Sequence, residues 1–277
     1  MSNSNLIFDS GMHCYRCLTI HTPHAGTLLP FNQFCRPEPG FYMRQNIEPL
    51  FRVLTDHYTD KLFMAEMSLH EPKLFADRWG WNERITQVSF PYSRLFCDVE
   101  RLTNDPLEEK GLGICYDLPR FIPLRKDVWT LTREQAMALY EEHHRRLALA
   151  IRDRGGLLLD CHSFSERDNI LSPNAHEYKD IDICLGFNED ESKPSQVTLD
   201  AVAQFFSWNG YRVAFNVPFS NAMVAQTPTP HHSLMIEINK HCYMNEDTLE
   251  VTEGFIRLHT ELQELYKWLL MNNQAKP

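Results

Sequence analysis

Two histidines and one aspartate at the ends of predicted elements could together bind a metal ion. His24 follows the apolar–polar alternation that ends at Ile20, and His162 follows three consecutive leucines. Asp56 lies in LeuThrAspHisTyrThrAsp, within or beside a predicted helix. Two imidazoles and one carboxylate make the protein ligand set of a catalytic zinc site, which keeps its fourth position for water. Such an ion lowers the pKa of bound water to about 7 and can polarise a carbonyl oxygen.

Each of these residues also has a structural interpretation. The chain has 13 histidines, and a single histidine at a strand end is more often hydrogen-bonded structure than a ligand, because imidazole has many other uses. The parallel placement of His24 and His162 after apolar segments favours the metal interpretation. Asp160, two residues before His162, is predicted to support that imidazole.

Other clusters of reactive residue types are weaker candidates. Cys14 and Cys17 lack the second cysteine pair that a zinc site would need, which favours a structural role. GluGluHisHis at 141–144 is interpreted as a solvated helix face, and HisHis at 231–232 stays open as a metal cluster. Ser163 lacks the strand–turn–helix setting of a hydrolase elbow, and GxSxG, Walker A, GxGxxG and HExxH motifs are absent.

A carboxylate and two arginines could supply further chemistry. Glu237 stands between apolar residues in a predicted strand, where burial is costly unless the group is paired, protonated or bound to a metal. It could be a general base or an outward-facing residue, since strand alternation permits both. Arg94 and Arg101 could grip a substrate carboxylate through paired hydrogen bonds, or could pair with Asp98 and Glu100 nearby.

The elements that would position these residues alternate between strands and helices. Strands are predicted at 14–22, 156–161, 181–187, 211–216 and 233–238, and helices at about 45–67, 133–154, 194–209 and 250–272. Long loops at 103–130 and 217–232 are candidate site walls. This alternation predicts an α/β fold with a mixed, mostly parallel sheet and helices on both faces, in a single domain over residues 1–277.

Composition limits the class of partner. A formal net charge of −10 argues against nucleic acid or an anionic membrane as the main partner, but a small anionic substrate needs only one or two local arginines. No apolar run approaches the roughly 20 residues of a membrane span. Without a secretion signal at the N-terminus, the eight cysteines are expected to be reduced thiols, and the expected location is cytoplasmic.

Six segments of the chain, in order, resemble the N-formylglutamate amidohydrolase (N-formylglutamate deformylase) family. They span most of the sequence and contain the candidate residues described above. The segments are IleHisThrProHisAlaGlyThrLeuLeuPro (20–30), ThrAspHisTyrThrAspLysLeuPhe (55–63), TyrSerArgLeuPheCysAspValGluArg (92–101), LeuLeuLeuAspCysHisSerPhe (157–164), IleAspIleCysLeuGly (181–186) and IleGluIleAsnLysHisCysTyrMetAsnGlu (236–246).

The resemblance implies a fold like that of the zinc carboxypeptidases and metal-assisted hydrolysis of an amide. Zn²⁺ is the implied cofactor, although two histidines and an aspartate would accept other divalent transition metals. The implied zinc ligands are His24, Asp56 and His162, the implied general base is Glu237, and the implied substrate-binding residues are Arg101, Arg94 and, with the loop after it, Asn216.

The implied substrate is a small acidic N-acyl amino acid, with N-formyl-L-glutamate giving formate and L-glutamate in histidine degradation. Glu100 stands where family members commonly have asparagine, and segment 216–223 lacks a glycine pair associated with the deformylase. These departures affect the substrate more than the reaction class. A carboxypeptidase-like enzyme, a hydrolase of another N-acyl amino acid and a non-catalytic metal- or ligand-binding relative stay open as alternatives.

Overall fold

Six β-strands form one mixed sheet in the computed structural model, which describes residues 15–28, 41–65, 84–122, 133–151 and 156–271. A separate two-stranded ribbon follows the last strand of the sheet. The sheet strands are β1 (Leu18–Thr22), β2 (Ile85–Ser89), β3 (Gly156–Phe164), β4 (Ile183–Gly186), β5 (Val213–Phe215) and β6 (His231–Asn239), and the ribbon pairs β7 (Met244–Asn245) with β8 (Glu250–Val251).

The strand order in the sheet is β2-β1-β3-β6-β4-β5. The first four strands in that order run parallel to one another, whereas β4 pairs with β6 in the antiparallel sense and β5 runs parallel to β4. This mostly parallel mixed sheet confirms the predicted fold class. All nine residues of β3 are buried, as expected for a central strand covered on both faces.

Helices cover both faces of the sheet. They are α1 (Phe41–Leu54), α2 (Thr59–Leu62), α3 (Leu118–Phe121), α4 (Arg133–Ala150), α5 (Gln196–Trp208) and α6 (Glu253–Met271). Side chains alternate between the two faces of a strand, and accordingly Leu157 and Leu159 pack in one cluster with residues of α5 and α6, while Leu158 packs in another with Leu147 of α4. None of the described helices is long and apolar enough to span a membrane.

Several element bounds differ from the sequence prediction for physical reasons. The helix predicted over 45–67 ends at Leu54, because the backbone N–H of Asp56 donates to the His24 carbonyl outside the helix, and the left-handed φ of 67° at Tyr58 separates it from the next helix at Thr59. The leucine strand does not stop at residue 161 but continues to Phe164, so His162 lies within it. Strand β2 was not predicted, since its sequence IleThrGlnValSer is short and half polar.

The histidines of α4 are the clearest error. His143 and His144, interpreted as part of a solvated face, are 2% and 8% exposed. His143 meets His21 of β1, and the Nε2 atom of His144 lies 2.8 Å from the carbonyl oxygen of Val99. Distant segments of the chain therefore bury this part of the helix. Cys14 and residues 123–130 of the predicted loop lie outside the described residues.

Candidate active site

Three neighbouring parallel strands deliver site residues to the same end of the sheet. His24 lies two residues after β1, His162 lies near the end of β3, and Glu237 of β6 is the register partner of His162. The carboxyl ends of parallel strands are where α/β folds place their sites. Gly26 lets the chain after β1 pass close to the chain after β2, since an added Cβ would clash with the carbonyl oxygen of Phe90.

Asp56 reaches the sheet from the break between α1 and α2. Its backbone N–H donates to the carbonyl oxygen of His24 at 3.0 Å, which fixes the break against the end of β1. The Thr59 hydroxyl and backbone N–H both donate to the Asp56 carbonyl oxygen. The interruption of the predicted helix is therefore what places this carboxylate beside the histidines.

The three predicted metal ligands meet in one buried cluster. The Oδ2 atom of Asp56 lies 3.8 Å from Nδ1 of His24 and 3.2 Å from Nδ1 of His162. The two imidazole centroids are 5.1 Å apart, and all three residues are at most 3% exposed. Among the described residues, Nδ1 of His24 has no hydrogen-bond partner.

The electrostatics of this cluster favour a cation. Burial lowers the pKa of His24, which keeps its ring neutral and able to donate a lone pair. Burial alone would lower the pKa of His162 too, but the carboxylates of Glu100 and Asp160 raise it well above its ordinary value. A buried donor without a partner and an excess of carboxylates both fit a divalent metal ion.

Each histidine is held from behind by a different carboxylate. The Nε2 atom of His24 lies 2.9 Å from Oδ1 of Asp98, and the Nε2 atom of His162 lies 3.1 Å from Oδ1 of Asp160. A carboxylate on one ring nitrogen sets the tautomer and orientation of a metal-binding histidine. In both rings Nδ1 lies next to Asp56, although Nε2 of His162 is shared between Asp160 and Glu100.

Glu100 is a member of the cluster that sequence reasoning placed only beside the arginines. Its Oε1 atom lies 3.1 Å from Nε2 of His162, and its Oε2 atom lies 3.8 Å from Nδ1 of His24. Donor atoms of Glu100 and the two histidines all lie within 4.8 Å of one another. The sequence signal was present, since glutamate replaces the usual asparagine at this position.

Glu237 lies in the site with a perturbed acidity. It is 8% exposed, and its Oε2 atom has no hydrogen-bond partner among the described residues. Burial raises the pKa of Glu237 to about 8, although His162 acts in the opposite direction. A carboxyl group with its pKa near the working pH can accept and return a proton. The outward-facing alternative for this residue does not agree with its burial.

Arg94 and Arg101 share one buried carboxylate. The Nη2 atom of Arg94 donates to Oδ2 of Asp98 at 2.8 Å, and Nε of Arg101 lies 3.4 Å from the same oxygen. The Tyr116 hydroxyl also donates to it, at 2.7 Å. Although burial raises the pKa of Asp98, Arg94 and His24 hold it well below its usual range. Two guanidinium groups on one carboxylate leave an excess positive charge for a substrate anion.

A cavity of about 460 Å³ brings these groups together. Six of the seven predicted site residues line it: His24, Asp56, Arg94, Arg101, His162 and Glu237. Asn216 is the exception, because its side-chain oxygen accepts the backbone N–H of Phe187 at 2.9 Å and so holds a turn after β4. The loop that follows it does reach the cavity, through Phe219 and Ser220.

Asp182, which had no predicted role, does not line this cavity and links segments at the ends of three strands. Its carboxylate accepts two hydrogen bonds from the guanidinium of Arg212 and lies 2.9 Å from Nε2 of His241. These contacts join the start of β4 to the start of β5 and to the turn after β6. The role of Asp182 in this structure is therefore to pair with Arg212 and His241.

Comparison with known proteins gives the family of the chain. Residues 17–244 match the N-formylglutamate amidohydrolase family. The chain belongs to that family. Two solved structures have a similar fold. N-formylglutamate amidohydrolase from Ralstonia eutropha JMP134 has a TM-score of 0.65 and 22% sequence identity, with 95% of each chain covered. Gene product Atu2144 from Agrobacterium tumefaciens has a TM-score of 0.54 and 16% sequence identity, with 93% of this chain and 91% of that chain covered. No match was found among curated proteins. The family assignment makes the chain an enzyme of the amidohydrolase kind.

Proposed function

We propose that the protein is a metal-dependent amidohydrolase that cleaves the amide bond of an N-acyl amino acid. One observation carries this proposal: two imidazoles and a carboxylate converge on the same cavity as a buried glutamate and a pair of arginines. These are the parts that amide hydrolysis requires, namely a cation site, a proton carrier and a substrate anchor. The family supports the reaction class.

His24, Asp56 and His162 would hold the metal ion, because Oδ2 of Asp56 lies 3.8 Å from Nδ1 of His24 and 3.2 Å from Nδ1 of His162. Zn²⁺ is the proposed ion, although this donor set also suits iron, cobalt or nickel. When bound, such an ion supplies Lewis-acid polarisation of the amide carbonyl and lowers the pKa of water. Asp98 and Asp160 would keep the two rings in the required orientation.

Glu237 would carry the proton between the two reacting groups. Its carboxylate takes a proton from water as the water oxygen bonds to the amide carbon, and it returns a proton to the amine nitrogen as the C–N bond breaks. The residue ends in its initial ionisation state, so one group serves both steps. Its unpartnered buried oxygen on the cavity supports this role.

Arg94 and Arg101 would anchor a carboxylate of the substrate. Their shared partner Asp98 is also in contact with His24, so the anchor and the metal site are held at a fixed separation. Fixed separation matters, because a misplacement of about 1 Å can cost about a hundredfold in rate. The family substrate, N-formyl-L-glutamate, would yield formate and L-glutamate, the reaction that belongs to histidine degradation.

Hydrolysis assays on metal-depleted and zinc-reconstituted protein test this proposal. We expect release of the free amino acid from N-formyl amino acids only after reconstitution. Glu237→Gln should retain stoichiometric metal and lose about a hundredfold or more in kcat, within the range for loss of a proton carrier. Glu166→Gln, a change of a partly exposed glutamate at the turn after β3, is the matched control. Equal turnover by Glu237→Gln and the wild-type protein would rule out the proposed role, and a complete absence of hydrolysis would favour a binding protein.

A further inference from the structure

One wall of the active-site cavity is apolar and continuous. Its side chains belong to a single hydrophobic cluster rather than to scattered positions. Two of them are buried in the core of that cluster and three are half-buried against it. The wall consists of Leu54, Leu107, Leu112, Ile170 and Leu171.

The hydrophobic cluster of the apolar wall contacts the carboxylate that holds the two arginines. Tyr116 is a core member of the same hydrophobic cluster, and its hydroxyl donates to the Asp98 carboxylate that holds both arginines. Since the arginines and the wall line the same cavity, a substrate whose carboxylate meets Arg94 or Arg101 would have the apolar wall within the cavity that holds the rest of the molecule. The group attached at the neighbouring carbon of an amino acid is its side chain.

The charges that line the cavity are poorly suited to a second carboxylate. Arg94 and Arg101 are already neutralised in part by Asp98. Among the described residues, Lys110 is the one lysine or arginine that lines the cavity outside that pair, and it is exposed to solvent, where its charge is screened. Asp56 and Glu100 line the cavity as well, and their carboxylates would repel an additional anion. Burial of an anion without a partner is costly, whereas burial of an apolar side chain is favourable.

We infer that this cavity takes N-acyl amino acids with one carboxylate and an apolar side chain, such as the N-formyl derivatives of leucine, methionine or phenylalanine, in preference to N-formyl-L-glutamate. The inference rests on the proposed amidohydrolase function and narrows its substrate class. The volume of about 460 Å³ agrees with it, since pockets for small organic ligands span about 300–1,000 Å³.

A panel of N-formyl-L-amino acids measured on the zinc-reconstituted full chain tests the inference. We expect kcat/KM for N-formyl-L-leucine and N-formyl-L-methionine to exceed that for N-formyl-L-glutamate by at least tenfold, which corresponds to about 1.4 kcal/mol. N-formyl-L-alanine should fall between them, because its side chain is uncharged but too small to cover the wall.

One variant changes the wall, one changes the same hydrophobic cluster away from the cavity, and one removes a cation that lines the cavity. Leu171→Lys places a cation on the cavity and should reduce the preference for leucine over glutamate at least threefold. Leu50→Lys alters the same hydrophobic cluster at a residue that does not line the cavity, and should leave that preference unchanged. Lys110→Met should not weaken turnover of N-formyl-L-glutamate, because the inference gives Lys110 no role in holding a substrate carboxylate.

The possible results separate this inference from the proposed function. Faster hydrolysis of N-formyl-L-glutamate than of the leucine compound would overturn the inference and leave the amidohydrolase proposal in place. If no N-formyl amino acid is hydrolysed, the proposed function fails, and calorimetry with the same compounds then decides the cavity preference. Tighter binding of N-formyl-L-glutamate, or no binding of N-formyl-L-leucine, would contradict the inference.

Discussion

The two imidazoles of the candidate metal site are supported in different ways. Behind His24 stands Asp98, which also binds two arginines and Tyr116. Behind His162 stands Asp160, which contacts neither arginine and instead accepts the backbone N–H of Met223 at 2.8 Å. The carboxylate behind His24 is thus shared with the arginines of the proposed substrate anchor, and the carboxylate behind His162 is not.

The support of His162 continues into the protein interior. The Nδ1 atom of His21 lies 2.9 Å from Oδ1 of Asp160, and its Nε2 atom lies 2.8 Å from Nε2 of His143 on α4. Burial lowers the pKa of His143 to about 2, so this outer ring stays neutral. In the proposed mechanism the His24 side would couple metal binding to substrate binding, whereas the His162 side would serve the metal ion and the packing of α4 against the sheet.

Asp98→Asn should have the largest effect, because it disturbs both functions of the His24 side. It leaves two buried guanidinium groups without their counter-charge, a change that costs about 3–5 kcal/mol. We expect a loss of unfolding free energy of that size, weaker zinc binding and a raised KM. Chemical denaturation, a zinc competition titration and steady-state kinetics measure the three quantities.

Asp168→Asn, at an exposed ion pair with His176, is the control. A variant of wild-type stability would show that Asp98 does not hold the arginines as described.

Asp160→Asn should weaken zinc binding by about 10–100-fold, the range for loss of a carboxylate behind a metal-binding histidine. Unlike Asp98→Asn, this variant should keep KM within about twofold of the wild-type value when zinc is saturating, since Asp160 contacts neither arginine. Competition with a chromophoric chelator gives the zinc affinity. A large increase in KM at saturating zinc would mean that the two sides are not separate.

His143→Phe tests the outer end of the same chain. A phenyl ring of similar size keeps the packing but leaves Nε2 of His21 without its partner, at a cost of about 1–3 kcal/mol in unfolding free energy. Zinc affinity should fall by less than tenfold, because Asp160 still contacts both His162 and His21. If zinc affinity falls as far as in Asp160→Asn, then orientation of His162 depends on the whole chain from α4.

Tyr116→Phe should give the smallest change in zinc affinity. It removes one hydrogen bond to Oδ2 of Asp98, the oxygen that faces the arginines, and leaves Oδ1 with His24. We expect KM to rise about two- to fivefold and zinc affinity to stay the same. A change in zinc affinity without a change in KM would reverse the assignment of the two oxygens.

Much of the fold was accessible from the sequence, because its central strands and long helices carry clear apolar patterns. The leucine run of β3 and the amphipathic pattern of α6 each predicted an element of the correct type. Strand β2 was missed because its five residues alternate weakly. The break at Asp56 was missed because contact with the His24 carbonyl, a long-range interaction, determines it.

In the candidate site, too, some residues could be predicted from sequence patterns and others depend on long-range contacts. Side chains at the ends of parallel strands could be grouped in advance, since strands of one sheet share an edge. Asn216 was assigned to the substrate by resemblance, but its left-handed φ of 53° and its bond to Phe187 give it a turn-forming role. The burial of His143 and the approach of Glu100 to both imidazoles depend on contacts between segments far apart in sequence, which periodicity does not reveal.

The position of Asp56 in the break between two helices has a consequence for stability. Asp56 and His162 are 106 residues apart in the chain, and one belongs to a helical connection while the other belongs to the sheet. An ion bound to both would act as a non-covalent cross-link, and its binding free energy would add to that of folding. Zinc should then slow amide hydrogen exchange most in α1 and α2, so that a chelator would loosen the helical segment before it affects the sheet.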